Sequence, residues 1–289
     1  MQIDSGQLAT FAAIIEEGSF DAAARRLNVT PSAVSQRMKA LESGIGQVLV
    51  RRTKPCTATE AGQALIRLAR QVSLLETEAL ATVRGAADGE RVPIAVNADS
   101  LAGWFLPALT ALPAEMAVYF DLRAEDQDHS AELLRDGTVL AAVTADPQAV
   151  QGCRVQRLGK MRYHAVAAPA YVEKWFAGRP LAEALAEAPM IVFNRKDTLQ
   201  HRFLRSVSRR RLDPPAHYVP STGPYIEAIR AGLGWGMAES YYLERGGLVK
   251  IDGGRPVDVP LYWQHWKLES RVLDALTTAV RQAAANGLS

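Results

Sequence analysis

Residues 19–41 contain two short helical patterns separated by a tight turn. This segment limits the possible folds of the chain more than any other. In residues 20–27 apolar side chains recur at helical spacing. Thr30 followed by Pro31 is typical of a helix N-cap and a first helical position, so a second helix is predicted to begin there. A short helix, a tight turn and a second helix with a polar and basic face are typical of a helix-turn-helix that reads the DNA major groove.

The predicted second helix has one apolar and one polar face. Val34, Met38 and Leu41 fall on the apolar face. The polar face supplies the predicted DNA contacts of this helix, which are Ser32, Ser35, Gln36, Arg37 and Lys39. Gln36 can pair bidentately with adenine, and Arg37 can pair with guanine or a phosphate.

The charge distribution decides between this hypothesis and an ordinary helical hairpin with a solvated face. Residues 25–70 contain nine basic and two acidic side chains, a local excess of seven, whereas the formal net charge of the 289-residue chain is only +2. The basic ones are Arg25, Arg26, Arg37, Lys39, Arg51, Arg52, Lys54, Arg67 and Arg70. Positive charge is therefore concentrated where a phosphate backbone would lie.

A wing is predicted directly after the second helix. Residues 48–50 are apolar and indicate a short strand, and the basic residues Arg51, Arg52 and Lys54 follow it. We expect Arg51 and Arg52 to contact phosphates or the minor groove, where they would position the module more than they specify sequence. The alternative is that both arginines are solvated surface charges.

A long helix is predicted from about residue 60 to residue 84, capped by Thr57 or Thr59. Its apolar residues alternate spacings of three and four, as in a coiled-coil seam: Leu65, Leu68, Val72, Leu75 and Ala79. This helix either packs on its own domain or forms a dimer. We favour dimerisation, because a helix-turn-helix normally needs two copies to read a two-fold operator.

Beyond a predicted hinge at residues 85–90, strands and helices alternate, which indicates an α/β domain with a parallel sheet. Strands are predicted at residues 92–96, 117–122, 140–144, 164–167, 190–193 and 235–237. Helices are predicted at residues 100–112, 131–135, 225–231 and 270–285. A further helix, with Leu199, Phe203 and Val207 on its apolar side, would carry Arg205, Arg209, Arg210 and Arg211 as a solvated face.

Composition and motifs argue against several other classes of protein. With 48% hydrophobic and 22% charged residues, the chain is typical of a soluble globular protein. It has neither an apolar run of roughly 18–20 residues nor a signal segment, so we expect it in the cytoplasm. Cys56 and Cys153 are too few for a disulfide framework and are expected to be unpaired thiols.

No enzyme motif is found, so no catalytic residue, cofactor or metal is predicted. The five histidines lack metal-ligand spacing, and no serine lies in a G-x-S-x-G elbow. The glycines of residues 232–236 do not match the dinucleotide-binding fingerprint and lead from a helix into a strand, which is the reverse order. A tight turn explains them better.

The string LATFAAIIEEGSFDAAARRLNVTPSAVSQRMKALESGIGQVLVRR, followed by TATEAG, resembles the winged helix-turn-helix of LysR-type transcriptional regulators. Three further strings, at residues 94–109, 123–130 and 261–270, resemble the branch of that family called ArgP or LysG, which responds to basic amino acids. Val50 departs from the phenylalanine of many relatives, which should change only the packing behind the wing.

The resemblance covers essentially the whole chain and implies its organisation. It implies a winged helix-turn-helix at residues 1–58, a linker and dimerisation helix with a hinge at 59–90, and an effector domain of two α/β lobes at 91–289. Lobe I would comprise about residues 91–161 and 267–289, and lobe II about 162–266. The two lobes would resemble periplasmic binding proteins.

The resemblance also implies partners and activity. The protein would be a homodimer or homotetramer that binds a double-stranded DNA operator and can contact RNA polymerase. It would sense lysine or arginine, or else histidine, and activate a gene for export of basic amino acids. Two alternatives stay open: a LysR-type regulator of a different effector, and a solute-binding protein that binds its ligand without DNA.

A candidate effector pocket is compatible with that function. Backbone N–H groups near Asn97, Asp99 and Ser100, between a strand and a helix, could hold the α-carboxylate of an amino acid. The facing half would come from Ser221, Thr222 and the helix of Tyr225. The remaining predicted contacts are Glu125, Asp126 and Asp128 for the cationic side chain, and Trp104 for the aliphatic stem or the cation.

Each of these residues also has a structural alternative. Ser100 would then be only an N-cap, Trp104 would be a core residue, and the acids at 125, 126 and 128 would be solvated.

Overall fold

The computed structural model describes residues 3–84, 90–116, 118–125 and 130–289. The chain folds into two compact units. Unit 1 comprises Met1–Asn97, Pro107–Gln156 and Tyr262–Gln282, and unit 2 comprises Ala98–Leu106, Arg157–Leu261 and Ala283–Ser289. The chain therefore passes from one unit to the other five times. Residues 98–106 and 283–289 belong to unit 2, whereas the sequence-based division groups both with lobe I.

The N-terminal module of unit 1 is the predicted helix-turn-helix. Its helices are α1 (Ser5–Glu17), α2 (Phe20–Arg26) and α3 (Pro31–Ile45). The side chain of Ser19 accepts a hydrogen bond from Ala22 N at 3.2 Å and caps α2. Thr30 caps α3 in the same way through Ala33 N at 3.2 Å. The core side chains include Phe11, Ile14, Ala23, Val34, Met38 and Leu41, all at most 2% exposed.

The wing is an antiparallel pair, β1 (Val50–Arg51) and β2 (Thr57–Ala58). The predicted strand at 48–50 begins only at Val50 in the structure. Leu49 N donates to Glu42 Oε1 at 2.8 Å, and Leu49 O accepts from Thr59 N at 2.9 Å. The wing strand is therefore shorter than predicted.

The long helix α4 (Glu60–Arg84) matches its prediction. Thr59 caps it by accepting from Gly62 N at 3.1 Å, so the second of the two predicted caps is used. Ile66, Ala69 and Leu74 are buried on one side of this helix.

Helix α4 is also bound to backbone groups of the later part of unit 1. Arg67 Nη1 donates to Arg135 O at 2.5 Å, and Arg70 donates to Gly137 O. Glu78 Oε1 accepts from Ser270 Oγ at 2.5 Å and from Val272 N at 3.1 Å. Residues 271–287 form the last helix, so Glu78 caps its first turn.

The later part of unit 1 contains a mixed sheet. Its strands are β3 (Glu90–Asn97), β4 (Val118–Glu125), β5 (Ala141–Thr144) and the end of β11 (Val257–Trp266). Strand β3 pairs in parallel with β4 and β5, whereas β11 is antiparallel to β5. The predicted parallel pairing therefore holds for β3, β4 and β5, and β11 adds an antiparallel strand to the sheet.

Helices of unit 1 flank these strands. They include α6 (Leu106–Thr110), a 3₁₀ turn at Ala114–Met116, α7 (Ser130–Arg135) and most of α13 (Arg271–Gly287).

The long strand β6 (Cys153–Ala167) lies in unit 2 from Arg157 onward, where it pairs antiparallel with β9 (Gly236–Glu239) and β10 (Val249–Lys250). Strands β7 (Met190–Val192) and β8 (Ala216–Tyr218) form a parallel pair. The helices are α5 (Ala98–Ala102), α8 (Pro169–Trp175), α9 (Leu181–Glu187), α10 (Leu199–Val207), α11 (Thr222–Arg230) and α12 (Ser240–Glu244).

Three predicted elements need correction. The helix at 100–112 is divided into α5 and α6, because Pro107 cannot continue a helix from the preceding turn. Strand β4 runs to Glu125 and does not end at Leu122. Helix α10 ends at Val207, so Arg209, Arg210 and Arg211 follow it instead of lying on it. Within the described ranges no helix has the length and apolarity of a membrane span.

Candidate functional site

The predicted DNA contacts of α3 lie on one exposed face. Ser32, Ser35, Gln36, Arg37 and Lys39 are all exposed. On the opposite face Val34 and Met38 are at most 1% exposed. The helix therefore offers its small polar and basic side chains without any rearrangement of the core, as a recognition helix requires.

Both predicted wing arginines are exposed. The Arg52 guanidinium carbon lies 4.8 Å from the centroid of the Phe20 ring. Arg51 instead lines an open groove of about 600 Å³, whose other lining residues are Gln47, Val48, Thr59, Glu60 and Ala61. The two neighbouring arginines, the last residue of β1 and the residue that follows it, thus have different surroundings.

In unit 2, Asp99 and Ser100 lie in the first turn of α5, which begins at Ala98. Ser100 is therefore not an N-cap. Its hydroxyl is fully buried and accepts a hydrogen bond from Trp104 Nε1 at 3.0 Å. Trp104 is 7% exposed, so its geometry favours the structural alternative. Asp99 Oδ2 accepts from Tyr163 OH at 2.7 Å.

Glu239, which sequence reasoning missed, lies near Asp99. It ends β9, and its register partner on β6 is Tyr163. A Cβ atom on Gly103 would lie 4.0 Å from Glu239 Oε2, so the Glu239 carboxyl group approaches the turn in which Asp99 lies. Burial, reinforced by the charge of Asp99, raises the pKa of Glu239 to about 8. The only sequence signal is its position between a strand and a helix.

The phenol of Tyr163 lies in the same environment. Burial raises its pKa well above the usual value, and the charges of Asp99 and Glu239 act in the same direction. Tyr163 therefore stays protonated and acts as a hydrogen-bond donor to Asp99. We call Asp99, Tyr163 and Glu239 the acidic cluster.

The other predicted residues of unit 2 lie on α11. Ser221 is exposed at the N-cap position and makes no capping bond through its side chain, and Thr222 is the first residue of the helix. Tyr225 is buried, and its hydroxyl accepts from Met237 N at 2.8 Å and from Gln200 Nε2 at 3.1 Å. These bonds favour a packing role for Tyr225.

Asn97 and Glu125 are register partners at the ends of β3 and β4 in unit 1. Asn97 is 5% exposed, and its Oδ1 has no hydrogen-bond partner among the residues that the structure describes. The side chain of Glu125 is not described, and Asp126 and Asp128 lie outside the described residues. The ligand roles of these residues stay predictions.

The chemistry available to the acidic cluster is hydrogen bonding and charge pairing. Two carboxylates and a phenol can accept the N–H donors of a guanidinium or ammonium group. In the described part of the chain, no three metal-binding side chains lie together. Cys56 and Cys153 are buried free thiols, and burial raises the pKa of Cys153 to about 12. The Cys153 thiol is consequently a poor nucleophile near neutral pH.

Two family models match the chain. The model described as bacterial regulatory helix-turn-helix protein, lysR family, matches residues 5–63, and the LysR substrate binding domain matches residues 86–285. An HTH-type transcriptional regulator LysG of Mycobacterium tuberculosis is 50% identical over 99% of this chain and 95% of its own. The lysine export transcriptional regulatory protein LysG of Corynebacterium glutamicum is 43% identical over 98% of each chain.

Solved structures of proteins named ArgP and LysG also match the chain. The crystal structure of ArgP from Mycobacterium tuberculosis matches with a TM-score of 0.89 and 49% identity, and 99% of each chain is covered. Full-length LysG from Corynebacterium glutamicum with bound effector Arg matches with a TM-score of 0.78 and 41% identity, again over 99% of each chain.

Proposed function

The chain belongs to the LysR family of bacterial regulatory helix-turn-helix proteins, and on that basis we propose that it regulates transcription in response to a basic amino acid. It binds double-stranded operator DNA through α3 and the wing, as a homodimer or homotetramer. Lysine or arginine is the effector, and the controlled gene, which the protein activates, encodes an exporter of basic amino acids. The lysine export regulator that is 43% identical supports this assignment.

The proposal that the effector is a basic amino acid rests on the acidic cluster. Glu239 approaches the turn in which Asp99 lies, and ionising both without a counter-charge costs free energy because Glu239 is partly buried. A guanidinium or ammonium group between them would offset that cost, whereas a neutral or acidic amino acid could not. The relative with bound Arg supports the same class of ligand.

Isothermal titration of the purified chain with arginine, lysine and histidine tests the effector. We expect saturable binding of basic amino acids, and none of leucine or glutamate. Asp99→Asn and Glu239→Gln should each weaken binding about tenfold or more, the value expected for a lost charge-assisted hydrogen bond of ~1.5–3 kcal/mol. Glu183→Gln, which changes an exposed acid on α9, is the matched control.

Two outcomes of the titration are distinguishable. Binding of basic amino acids that survives both cluster substitutions would mean that the acids are wrongly chosen. Lack of binding to every basic amino acid would overturn the effector and leave a LysR-family regulator with a different ligand.

The DNA-binding part is tested with double-stranded DNA selected by the protein from a random-sequence pool. We expect Arg37→Ala to lower affinity and to reduce the slope of log affinity against log salt by about 0.9 if one phosphate contact is lost. Arg209→Ala removes an exposed arginine of unit 2 and should change neither quantity. If Arg37→Ala behaved like Arg209→Ala, the assignment of α3 as the recognition helix would be wrong.

A further inference from the structure

The base of the wing is fixed to the helix-turn-helix on two sides. Cys56 N donates to Gly18 O at 2.8 Å, in the turn between α1 and α2. Pro55 packs so closely on that turn that a Cβ atom at Gly18 would lie 2.8 Å from Pro55 Cβ. On the other side, Glu42 of α3 binds the backbone of Leu49. These contacts fix the backbone of the wing. They do not fix the orientation of its arginine side chains, which depends on other contacts.

Arg52 is the wing arginine with a partner on the helix-turn-helix. Its guanidinium lies over the ring of Phe20, the first residue of α2, at 4.8 Å from the centroid. Phe20 is partly buried against the core of the module, so the ring has a fixed support. The attraction between a cation and the face of an aromatic ring therefore restricts where Arg52 points.

Arg52 has an aromatic partner, whereas Arg26 at the other end of α2 has acidic partners, and the two kinds of partner affect a guanidinium differently. Arg26 forms ion pairs with Glu16 and Glu17, which occupy its N–H donors and neutralise its charge. An aromatic ring does neither of these things, because it contacts the flat face of the guanidinium and leaves the N–H groups at its edge available. Arg52 is thus oriented and still able to bind a phosphate.

We propose that Phe20 is a positioning residue for DNA binding, which holds Arg52 over its ring so that the wing meets the phosphate backbone with this side chain already ordered. This inference rests on the proposed DNA-binding function. Ordering the side chain before binding removes part of the entropy cost that association would otherwise carry. Arg51, on the groove side of the wing, is predicted to act independently of Phe20.

Replacing Phe20 by phenylalanine analogues with one, two and three ring fluorines tests the proposal. Fluorination withdraws electron density from the ring face and weakens its attraction for a cation, with little change in shape. We expect affinity for the selected DNA to fall stepwise by about two- to fivefold in total, as for loss of an exposed cation–π contact. Thermal unfolding should be unchanged across the series, and Phe20→Tyr should retain affinity.

The same series in two variant backgrounds gives the decisive comparison. In Arg52→Ala the fluorines should have no further effect on affinity, whereas in Arg51→Ala the stepwise fall should persist. An equal fall in the Arg52→Ala background, or no fall in the unaltered chain, would overturn the role of Phe20. Either result would leave the proposed function intact if Arg37→Ala still weakened binding. Failure of the unaltered chain to select any DNA would overturn both.

Discussion

At the scale of single residues, Glu239 makes the stability of the folded chain depend on pH. Its pKa is about 8 in the folded protein, because of burial and the nearby Asp99, compared with 4.5 for an ordinary glutamate. Between these two values the folded state holds a proton that the unfolded state has lost. The stabilising effect of this proton is therefore complete below the lower pKa and disappears as pH rises through about 8.

We expect Glu239→Gln to remove this part of the pH dependence. The free energy of unfolding of the unaltered chain, relative to the variant, should fall with a slope approaching ~1.4 kcal/mol per pH unit between about pH 5 and about pH 8. Urea unfolding at several pH values measures it. Glu183→Gln should keep the profile of the unaltered chain. A Glu239→Gln profile that runs parallel to that of the unaltered chain would show that the carboxyl group is not perturbed.

The residue scale also shows where sequence reasoning stops. The spacing of Ser100 and Trp104 is visible in the sequence, but whether the serine hydroxyl is free or bound to the indole is decided by packing. Asp99 and Glu239 are 140 positions apart, so no local pattern could indicate that Glu239 approaches the turn of Asp99.

At the scale of elements, the close approach of α4 to the wing depends on Gly62. A Cβ atom there would lie 2.3 Å from Leu49 O and 3.2 Å from the Phe11 ring. The backbone of Leu49 cannot move easily, because Glu42 and Thr59 both bind it. This packing explains the glycine in the string TATEAG.

We expect Gly62→Ala to destabilise the protein by ~1–3 kcal/mol, the usual cost of overpacking a fixed site. Gly44→Ala is the matched control, because Gly44 lies in α3 with open space around its Cβ position. That substitution should stabilise by ~0.5–1 kcal/mol through the higher helix propensity of alanine. Thermal unfolding measures both. Equal shifts for the two variants would refute the close approach.

Helices were easier to predict than strands for a physical reason. The N-terminal helices have local signals, such as Ser19, Thr30–Pro31 and Thr59, and their first turns lie where those caps indicate. The strand prediction found only the buried end of β6, because much of this strand is exposed or partly buried and its partners lie far away in sequence. No strand was predicted at β11, and local sequence does not encode its antiparallel pairing with β5.

At the scale of the whole molecule, α4 has a second apolar face that its own unit leaves exposed. Ile66, Ala69 and Leu74 are buried within the chain. Of the predicted seam, Leu68 and Leu75 are 37% and 38% exposed. An apolar stripe beside an already buried face supports the proposed dimer.

Changing Leu68 and Leu75 together to lysine should dissociate the dimer. Two charges at a seam would repel their counterparts, so light scattering should give a monomer mass. DNA affinity should fall because one subunit reads only one half-site. Ser73→Lys adds a charge to an exposed position of the same helix, away from the seam, and should leave the mass unchanged. A double variant that stays dimeric would show that the contact lies elsewhere.

The chain crosses between the two units five times, and these crossings limit which recombinants of related genes can fold. A single crossover within residues 98–256 joins parts of both units from different parents, so strands that pair with one another would come from different parent sequences. A crossover upstream of residue 90 divides unit 1 alone. Much of what α4 binds beyond that point is main chain, at Arg135, Gly137 and Val272, and any parent supplies those groups. A single crossover can therefore replace the helix-turn-helix, the wing and α4 together. The rest of the chain has to come from one parent.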